Sequence, residues 1–248
     1  MSDEHILIQR DGAVLEIRFN RPEKKNAFTN AMYGAMADSI EAAGKDEGVR
    51  CILFTAAGDF FSAGNDLKDF AAQSAGEFQG PRHVERFLES SIRSEKPLVA
   101  AVQGHGVGVG TTMLFHCDLV YIAETARLTT PFIDLGLVPE NASSITMVQR
   151  LGYARAFAML GLNEPLLGKD AAACGLANAA LPAAEVEARA RAAAHALAKK
   201  PPGAMRHTKA LMRDTEVLAA QMKKEMRIFG ERLRSPEAAA AFAAFFNR

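Results

Sequence analysis

Three short apolar runs constrain what this chain can fold into more than any other feature. They cover residues 49–54, 97–102 and 119–123, and each is flanked by polar residues or glycine. Apolar runs of this length predict buried strands, because a helix of ordinary size would need ten or more residues. Patterns with helical spacing separate the runs. Strands that alternate with helices predict an α/β fold.

The N-terminal part of the chain carries a different signal. Residues 6–10 and 13–19 alternate between apolar and polar, and Asp11-Gly12 lies between them, which predicts a β-hairpin. Thr29 can cap a following helix, whose apolar residues recur at four-residue spacing: Met32, Met36 and Ile40. We therefore expect a hairpin and then a helix before the first buried strand.

After about residue 140 no strand signal remains, and alanine-rich segments predict helices at 141–151, 153–161, 184–199, 203–213, 215–233 and 236–246. Pro201-Pro202 coincides with a shift in charge, since residues 201–248 hold nine Lys or Arg and five Asp or Glu. We expect a core at 1–200 and a helical region at 201–248 that is too short to fold alone. Its last helix carries Phe242, Phe245 and Phe246, which need cover from the core or from a second subunit. We expect packing between subunits.

Composition excludes several classes of protein. Lys and Arg number 29 and so do Asp and Glu, so a zero net charge argues against nucleic acid or an anionic membrane as the main partner. The 248 residues include no run of eighteen apolar ones, and the acidic N-terminus fits neither a signal nor a transit peptide. Cys51, Cys117 and Cys174 are widely spaced, as expected for buried free thiols in a reducing compartment. No Cys or His spacing suggests a metal site. We expect a soluble cytoplasmic protein.

Two glycine-containing segments follow predicted strands. The first, 58–67, contains Gly64, which permits a tight backbone path, and Asp66, which can cap a helix from Leu67. The second, 103–112, is glycine-rich, but Thr111 stands where a dinucleotide-binding motif needs glycine. A strand-to-helix turn of this kind leaves backbone N–H groups free for a phosphate or for an oxyanion formed during a reaction. Close packing of helix and strand explains the glycines equally well.

Further polar residues have ordinary structural explanations as well as functional ones. Glu140 follows a proline at the start of a predicted helix, where an acidic side chain is favourable in any case. Lys24 and Lys25 could meet a phosphate or simply be solvated. His116, like His105, is ambiguous, and the apolar residues around Asp118 predict a buried carboxylate with satisfied hydrogen bonds.

Taken in order, these segments resemble the enoyl-CoA hydratase/isomerase (crotonase) superfamily. The resemblance rests on Asn20-Arg-Pro with Asn26-Ala27, Phe61-Ser-Ala-Gly-Asn-Asp-Leu67, Gly104 to Gly108, Cys117-Asp118 and Ser235-Pro-Glu-Ala238 with Phe242. It implies a crotonase-like spiral of ββα units, a C-terminal helical trimerisation region and acyl-CoA substrates. It also implies an oxyanion hole made by two backbone N–H groups. The implied substrate-binding residues are Lys25, Ala63, Gly64, Asn65, Asp66, Leu67, Gly108, Val109 and Phe132, and the N–H groups of Asn65 and Val109 form the hole.

Departures from the hydratase pattern point to one branch of the superfamily. Thr112 and Phe132 match the positions of the two hydratase glutamates, and neither can transfer a proton at neutral pH. Pro139-Glu140 instead resembles the 3,2-trans-enoyl-CoA isomerases, particularly the peroxisomal type, which place a single catalytic glutamate there. The resemblance implies that no cofactor is needed, since coenzyme A is part of the substrate. It also implies a homotrimer or a dimer of trimers.

Three alternatives remain open from the sequence. Another crotonase-type reaction, such as hydration or thioester hydrolysis, would need help from Asp134, Glu124 or Asp69. A nucleotide-binding module would use the glycine-rich turn, but the turn does not match the dinucleotide-binding motif, which argues against this alternative. A non-catalytic scaffold would keep the fold and bind acyl-CoA without turnover.

Overall fold

The computed structural model describes residues 3–66, 69 and 80–246 of the chain. Its strands are β1 (Ile6–Asp11), β2 (Val14–Phe19), β3 (Cys51–Ala56), β4 (Phe60–Ser62), β5 (Leu98–Val102), β6 (His105–Val107), β7 (Leu119–Ala123), β8 (Arg127–Thr129), β9 (Leu166–Leu167) and β10 (Ala179–Leu181). Its helices are α1 (Asn30–Lys45), α2 (His83–Arg93), α3 (Val109–Thr112), α4 (Ser143–Leu151), α5 (Tyr153–Leu162), α6 (Gly168–Ala173), α7 (Ala183–Ala198), α8 (Pro202–Met212), α9 (Thr215–Leu233) and α10 (Pro236–Phe246).

Within the described residues, the strands form two sheets. The first has the order β1-β2-β3-β5-β7-β10, and the second has the order β4-β6-β8-β9. Strands β3, β5 and β7 each lie in the first sheet, and the short strand that follows each of them lies in the second. This alternation is the ββα spiral that the resemblance implied, and the α/β class is confirmed.

The three apolar runs form the centre of the first sheet. Strand β3 pairs in parallel with β2 and β5, and β5 pairs in parallel with β7. Every residue of β3 and β5 is buried, because parallel strands are covered on both faces. Helix α7 covers β3, β5 and β7 with a face of small and branched residues: Val186, Ala190, Ala193 and Ala194. Small side chains let this helix lie close to the sheet.

The prediction that strands end before residue 140 is wrong. Strands β9 and β10 lie beyond it, and β10 extends the first sheet by pairing in parallel with β7. The sequence of β10, Ala179-Ala-Leu181, carries no β-branched or aromatic residue, so it resembles the surrounding helices. Its pairing comes from the edge that β7 offers.

The predicted hairpin and cap are confirmed. Strands β1 and β2 pair in antiparallel register from Ile6–Phe19 to Asp11–Val14, and Gly12 adopts a left-handed φ of 60° in the turn. The hydroxyl of Thr29 accepts a hydrogen bond of 3.2 Å from the backbone N–H of Met32. Helix α1 therefore begins where the sequence predicts.

The C-terminal helices cover part of their own chain. Helices α9 and α10 match the predicted bounds 215–233 and 236–246. Phe242 is 9% exposed and belongs to a cluster formed with Phe132, Leu137, Phe229, Leu233 and Ala238. The side chains of Phe245 and Phe246 lie outside the described part. Phe242 is thus covered by its own chain, one of the two covers expected for it, while packing between subunits and the homotrimer or dimer of trimers stay predictions.

Two further expectations concern the thiols and the membrane. Cys51 and Cys117 are free and buried, whereas Cys174 is free and only half-buried. Burial raises the pKa of Cys51 and of Cys117 to about 12. In the described ranges, none of the helices combines the length and the apolar character needed to cross a membrane.

Candidate active site

One wall of the candidate site is anchored by a buried asparagine. Asn26 adopts a left-handed φ of 53°, and its Nδ2 donates hydrogen bonds of 2.8 Å to the carbonyls of Ala57 and Phe60. Its Oδ1 accepts the backbone N–H of Arg21 at 2.8 Å. The side-chain amide provides hydrogen-bond partners for backbone groups that burial would otherwise leave unpaired. Asn26 therefore fixes residues 20–28 beside the ends of β3 and β4.

The loop after β4 presents the first free N–H group. Phe28 donates its N–H to the carbonyl of Gly64 at 2.7 Å, and Asp66 donates its N–H to the carbonyl of Phe28 at 2.9 Å. These two bonds hold Asn65 between them, and no described residue accepts a hydrogen bond from the Asn65 N–H. Gly64 has a φ of 85°, and a Cβ there would lie 2.7 Å from the carbonyl oxygen of Val107. Glycine is required because the loops after β4 and β6 touch at this point.

The loop after β6 presents the second free N–H group. Gly108 has φ 55° and ψ −121°, a combination that side chains exclude, and its N–H is bound to the carbonyl of Thr129 at 3.0 Å. Val109 is the first residue of α3, so its N–H has no acceptor within the helix. No other described residue accepts it either. The two N–H groups expected from the resemblance are therefore both unpaired, on adjoining loops.

These loops border a large cleft. Its cavity has a volume of about 1070 Å³ and is lined by polar and apolar residues, among them Arg21, Lys24, Lys25, Ala63, Gly64, Asn65, Asp66, Gly108, Phe132 and Phe229. The Nζ of Lys25 lies 4.9 Å from the centre of the Phe60 ring, and Arg21 is paired with Asp66 at 2.6 Å. The structure thus brings together all the predicted substrate-binding residues that it describes, with Val109 adjoining Gly108. Leu67 lies outside the described residues.

Glu140 lies in a smaller cavity that adjoins the cleft. Asn65, Asp66 and Phe229 line both cavities, so the residue that carries the first unpaired N–H group also lines the cavity of Glu140. The Glu140 side chain is buried, with the residue 3% exposed. Burial raises the pKa of Glu140 to about 8, the hydrogen bond from Thr112 opposes this, and the charge of Glu225 adds to it. A carboxyl group with such a pKa can accept and return a proton near neutral pH.

Two residues of the site were missed by the sequence analysis. The hydroxyl of Thr112 donates a hydrogen bond of 2.6 Å to Oε1 of Glu140. The hydroxyl of Tyr33 donates to Oδ1 of Asn65 at 2.7 Å, and burial raises the pKa of Tyr33 well above its ordinary value. Thr112 had a usable signal, because it occupies the position of a hydratase glutamate and so points into the same site. Tyr33 had none.

The groups considered for alternative chemistry are dispersed. Asp69 lines the Glu140 cavity, where its Oδ2 accepts the backbone N–H of Asn30 at 2.8 Å. Asp134 lines the cleft and accepts a hydrogen bond from Asn163. Glu124 pairs with Lys169 at 3.3 Å and lines neither cavity. Of the three, only Asp69 shares a cavity with Glu140.

The histidine nearest to Glu140 in sequence has a structural role. His116 is buried, and one ring nitrogen lies 2.7 Å from the carbonyl oxygen of Asn141. Burial and the neighbouring Arg213 lower the pKa of His116 to about 3, so the imidazole is neutral. Among the residues that the structure describes, no three His, Cys, Asp or Glu side chains are grouped so as to hold a metal ion.

Comparison with known proteins decides the family. The sequence model of the family described as "Enoyl-CoA hydratase/isomerase" matches residues 9–248. The chain belongs to this family. It is 36% identical to enoyl-CoA delta isomerase 2 of Rattus norvegicus over 249 residues, which are 98% of this chain and 63% of that relative. Its identity to enoyl-CoA delta isomerase 2 of Homo sapiens is 32%, covering 99% and 64%. The chain thus spans slightly less than two thirds of these two relatives.

Solved structures agree with the fold over the whole chain. The structure of Pseudomonas aeruginosa OdaA is 42% identical with a TM-score of 0.94, covering 99% of this chain and all of that one. The enoyl-CoA hydratase/isomerase of Pseudoalteromonas atlantica T6c is 38% identical with a TM-score of 0.93, covering 98% and 97%. The resemblance inferred from the sequence motifs is confirmed at the level of family and fold.

Proposed function

We propose that this protein is an isomerase that moves the double bond of a 3-enoyl-CoA to the 2-trans position. The observation that carries the proposal is the buried carboxyl group of Glu140, whose pKa is raised to about 8, in a cavity that Asn65 also lines. The enoyl-CoA delta isomerases among the relatives support it. Thr112 also supports the proposal. It stands where a hydratase has an acid, and its hydroxyl donates a hydrogen bond to Glu140 but cannot serve as that acid.

The reaction needs one group that both takes and returns a proton. The Glu140 carboxylate removes a proton from the α carbon of the thioester, and the electrons of that C–H bond move into a dienolate. The same proton, now on Glu140, is delivered to the γ carbon, which leaves the double bond between the α and β carbons. Atoms and charge balance without a second acid or a bound water.

The dienolate carries its negative charge on the thioester oxygen. The N–H groups of Asn65 and Val109 are the donors proposed to hold that oxygen, and two fixed donors stabilise it without reorganisation. Coenzyme A enters as part of the substrate, so no further cofactor is proposed. Arg21, Lys24 and Lys25 at the cleft place positive charge where the phosphates of coenzyme A would approach.

A direct assay tests the proposal. The protein is incubated separately with 3-hexenoyl-CoA and 2-hexenoyl-CoA, and products are identified by mass and by the absorbance of the conjugated thioester. We expect 3-hexenoyl-CoA to become its 2-trans isomer without a change in mass, and 2-hexenoyl-CoA to gain no water. Hydration at a rate comparable to isomerisation would overturn the proposal in favour of a hydratase.

The oxyanion hole can be tested through Gly64. In Gly64→Ala the new Cβ would meet the carbonyl oxygen of Val107, so the two loops must separate. We expect turnover to fall by about 10²–10³-fold, as when one donor of such a hole is lost. Gly175→Ala is the matched control, because Gly175 has a nearly equal φ of 82° and a Cβ there would meet nothing within 4 Å. Equal activity of the two variants would count against this hole.

A further inference from the structure

Another buried carboxyl group comes from the C-terminal region and is bound to Ser144, four residues beyond Glu140 in the chain. Glu225 on α9 is 5% exposed. Its Oε1 accepts the backbone N–H of Ser144 at 3.1 Å, the hydroxyl of Ser144, and Nε2 of Gln221 at 3.4 Å. Within the described residues no Lys, Arg or His lies within 4 Å of it. Burial raises the pKa of Glu225, and the hydrogen bonds from Ser144 and Gln221 oppose this because they favour the ionised carboxylate.

The contact with Ser144 matters because of the backbone between Ser144 and Glu140. Asn141 and Ala142 both adopt left-handed conformations, with φ of 63° and 55°, although neither is glycine. A left-handed conformation is unfavourable for a residue other than glycine unless its surroundings hold it. Ala142 is also the N-cap of α4 and has no side chain that can accept a hydrogen bond. Glu225 supplies this missing acceptor from another helix.

We propose that Glu225 is a positioning residue for Glu140: it caps α4, holds the strained turn 141–142, and keeps a negative charge beside the catalytic carboxyl group. This inference rests on the proposed function, since it assigns Glu140 the role of the base. It gives the C-terminal region a part in the chemistry of the core. The wall of the Glu140 cavity supports it, because α9 also contributes Met226, Phe229, Gly230 and Leu233 to that wall.

The charges around Glu140 act in opposite directions. Burial and the charge of Glu225 raise its pKa, while the hydroxyl of Thr112 lowers it. Other titratable or charged groups come from every side of the cavity and from the turn behind it: Tyr33, Asp66, Asp69, Arg82, Glu85 and, through Asn141, His116. Glu225 raises the pKa of Glu140 and Thr112 lowers it. Variants that remove these two contributions should therefore shift the pKa of Glu140 in opposite directions.

The experiment is the pH dependence of kcat/KM, which reports the free enzyme. Wild type should rise through about pH 8 as Glu140 ionises. Glu225→Gln keeps an oxygen for the Ser144 N–H but removes the charge, so the inflection should move to lower pH by about 0.5–1 unit. Thr112→Val should move it to higher pH by about 1 unit. Glu231→Gln, on the exposed side of the same helix, should leave it in place, since Glu231 only pairs with Arg227.

The capping half of the proposal has its own variants. Glu225→Ala removes both the charge and the cap, and we expect a tenfold or larger loss of kcat that Glu225→Gln largely restores. Ser144→Ala keeps the charge but removes the hydroxyl donor, so kcat should fall with the inflection unchanged. If Glu225→Gln has the wild-type pH profile, or if Glu225→Ala and Ser144→Ala keep wild-type kcat, the proposal is overturned.

Failure of the proposed function can be told apart from failure of this inference. Infrared spectroscopy of protein with labelled glutamate, with Glu140→Gln as the reference, follows the titration of the Glu140 carboxyl group without any substrate. A protein that does not isomerise 3-hexenoyl-CoA would remove the proposed function. A lower infrared midpoint for Glu140 in Glu225→Gln would still support the electrostatic link, and an unchanged midpoint would refute it.

Discussion

Glu140 and Asp118 are carboxyl groups that receive opposite partners from the same C-terminal region. Helix α8 brings Lys209 to Asp118, with 2.8 Å between Nζ and Oδ2, and the backbone N–H of Leu98 donates to the same oxygen at 2.7 Å. Helix α9 brings a second acid, Glu225, towards Glu140, whose one hydrogen-bond donor among the described side chains is Thr112. One carboxyl group is neutralised, whereas no cation among the residues that the structure describes forms an ion pair with the other.

The difference separates a structural acid from a chemical one. The Asp118 side chain is 29% exposed and that of Lys209 is 10% exposed, so the pair links α8 to the sheet, and the charge of Asp118 opposes the lowering of the Lys209 pKa by burial. Glu140 is almost fully buried, and no described side chain forms an ion pair with it, so burial raises the free energy of its ionised form and with it the affinity for a proton. A group that is poised to exchange protons is useful for catalysis and unfavourable for stability.

The largest expected effect is on turnover in Glu140→Gln. The amide cannot act as a base, so we expect kcat for 3-hexenoyl-CoA to fall by about 10²–10⁴-fold. The fold and the binding of acyl-CoA should persist, because glutamine fills the same volume and can still accept the hydrogen bond from Thr112. Steady-state kinetics and thermal unfolding measure the two properties. Near-normal turnover in this variant would remove Glu140 from the mechanism.

Asp118→Asn should have the reverse pattern. It leaves the largely buried Lys209 without its counter-charge, and we expect the free energy of unfolding to fall by about 1–3 kcal/mol, less than for a fully buried pair because Asp118 itself is exposed. The value of kcat should stay within a factor of two or three of wild type, since Asp118 lines neither the cleft nor the Glu140 cavity. Denaturant titration and kinetics on the same preparation provide the check.

A second substitution sharpens this prediction. Lys209→Met in the Asp118→Asn background removes the unpaired charge, so it should recover part of the lost stability. If the double variant is instead less stable than Asp118→Asn by the full cost of the single Lys209→Met change, the two residues are not coupled. Asp118 could then no longer be called a structural acid that Lys209 stabilises, in contrast to Glu140.

Asp118 and Glu140 also show what the sequence could predict. The apolar neighbours of Asp118 predicted a buried, satisfied carboxylate; the carboxylate is paired, but the prediction that it is buried is wrong, since Asp118 is exposed. The proline before Glu140 together with the family resemblance indicated a site. Neither pattern contained the partners. Lys209 is 91 residues from Asp118, and Thr112 is 28 residues from Glu140, so these contacts depend on how the spiral and the C-terminal helices pack.

The same limit applies to the fold. The central strands β3, β5 and β7 were predictable because their apolar runs are local signals of burial on both faces. Strand β10 was not, because its alanines pair only where β7 leaves an edge. Glu225 was also unpredictable, since a polar residue in a helix is ordinarily exposed and its burial follows from the strained turn at Asn141 and Ala142.

The last expected effect is the pH dependence of stability, and it comes from Glu140. The folded protein holds the Glu140 proton up to a pKa of about 8, whereas the unfolded chain releases it near 4.5. Between these values the folded state binds more protons, so stability falls as pH rises, by up to about 1.4 kcal/mol per pH unit from this group. Glu140→Gln removes the group, so its unfolding free energy should rise relative to wild type from pH 5 to pH 8 and stay level above that. Asp118→Asn, which leaves Glu140 in place, should keep the wild-type contribution. The unfolding free energies of wild type and Glu140→Gln, measured by denaturant titration, could instead run parallel across this pH range. Glu140 would then already be ionised at neutral pH. Its burial, with no ion pair to a described residue, would no longer distinguish it from Asp118.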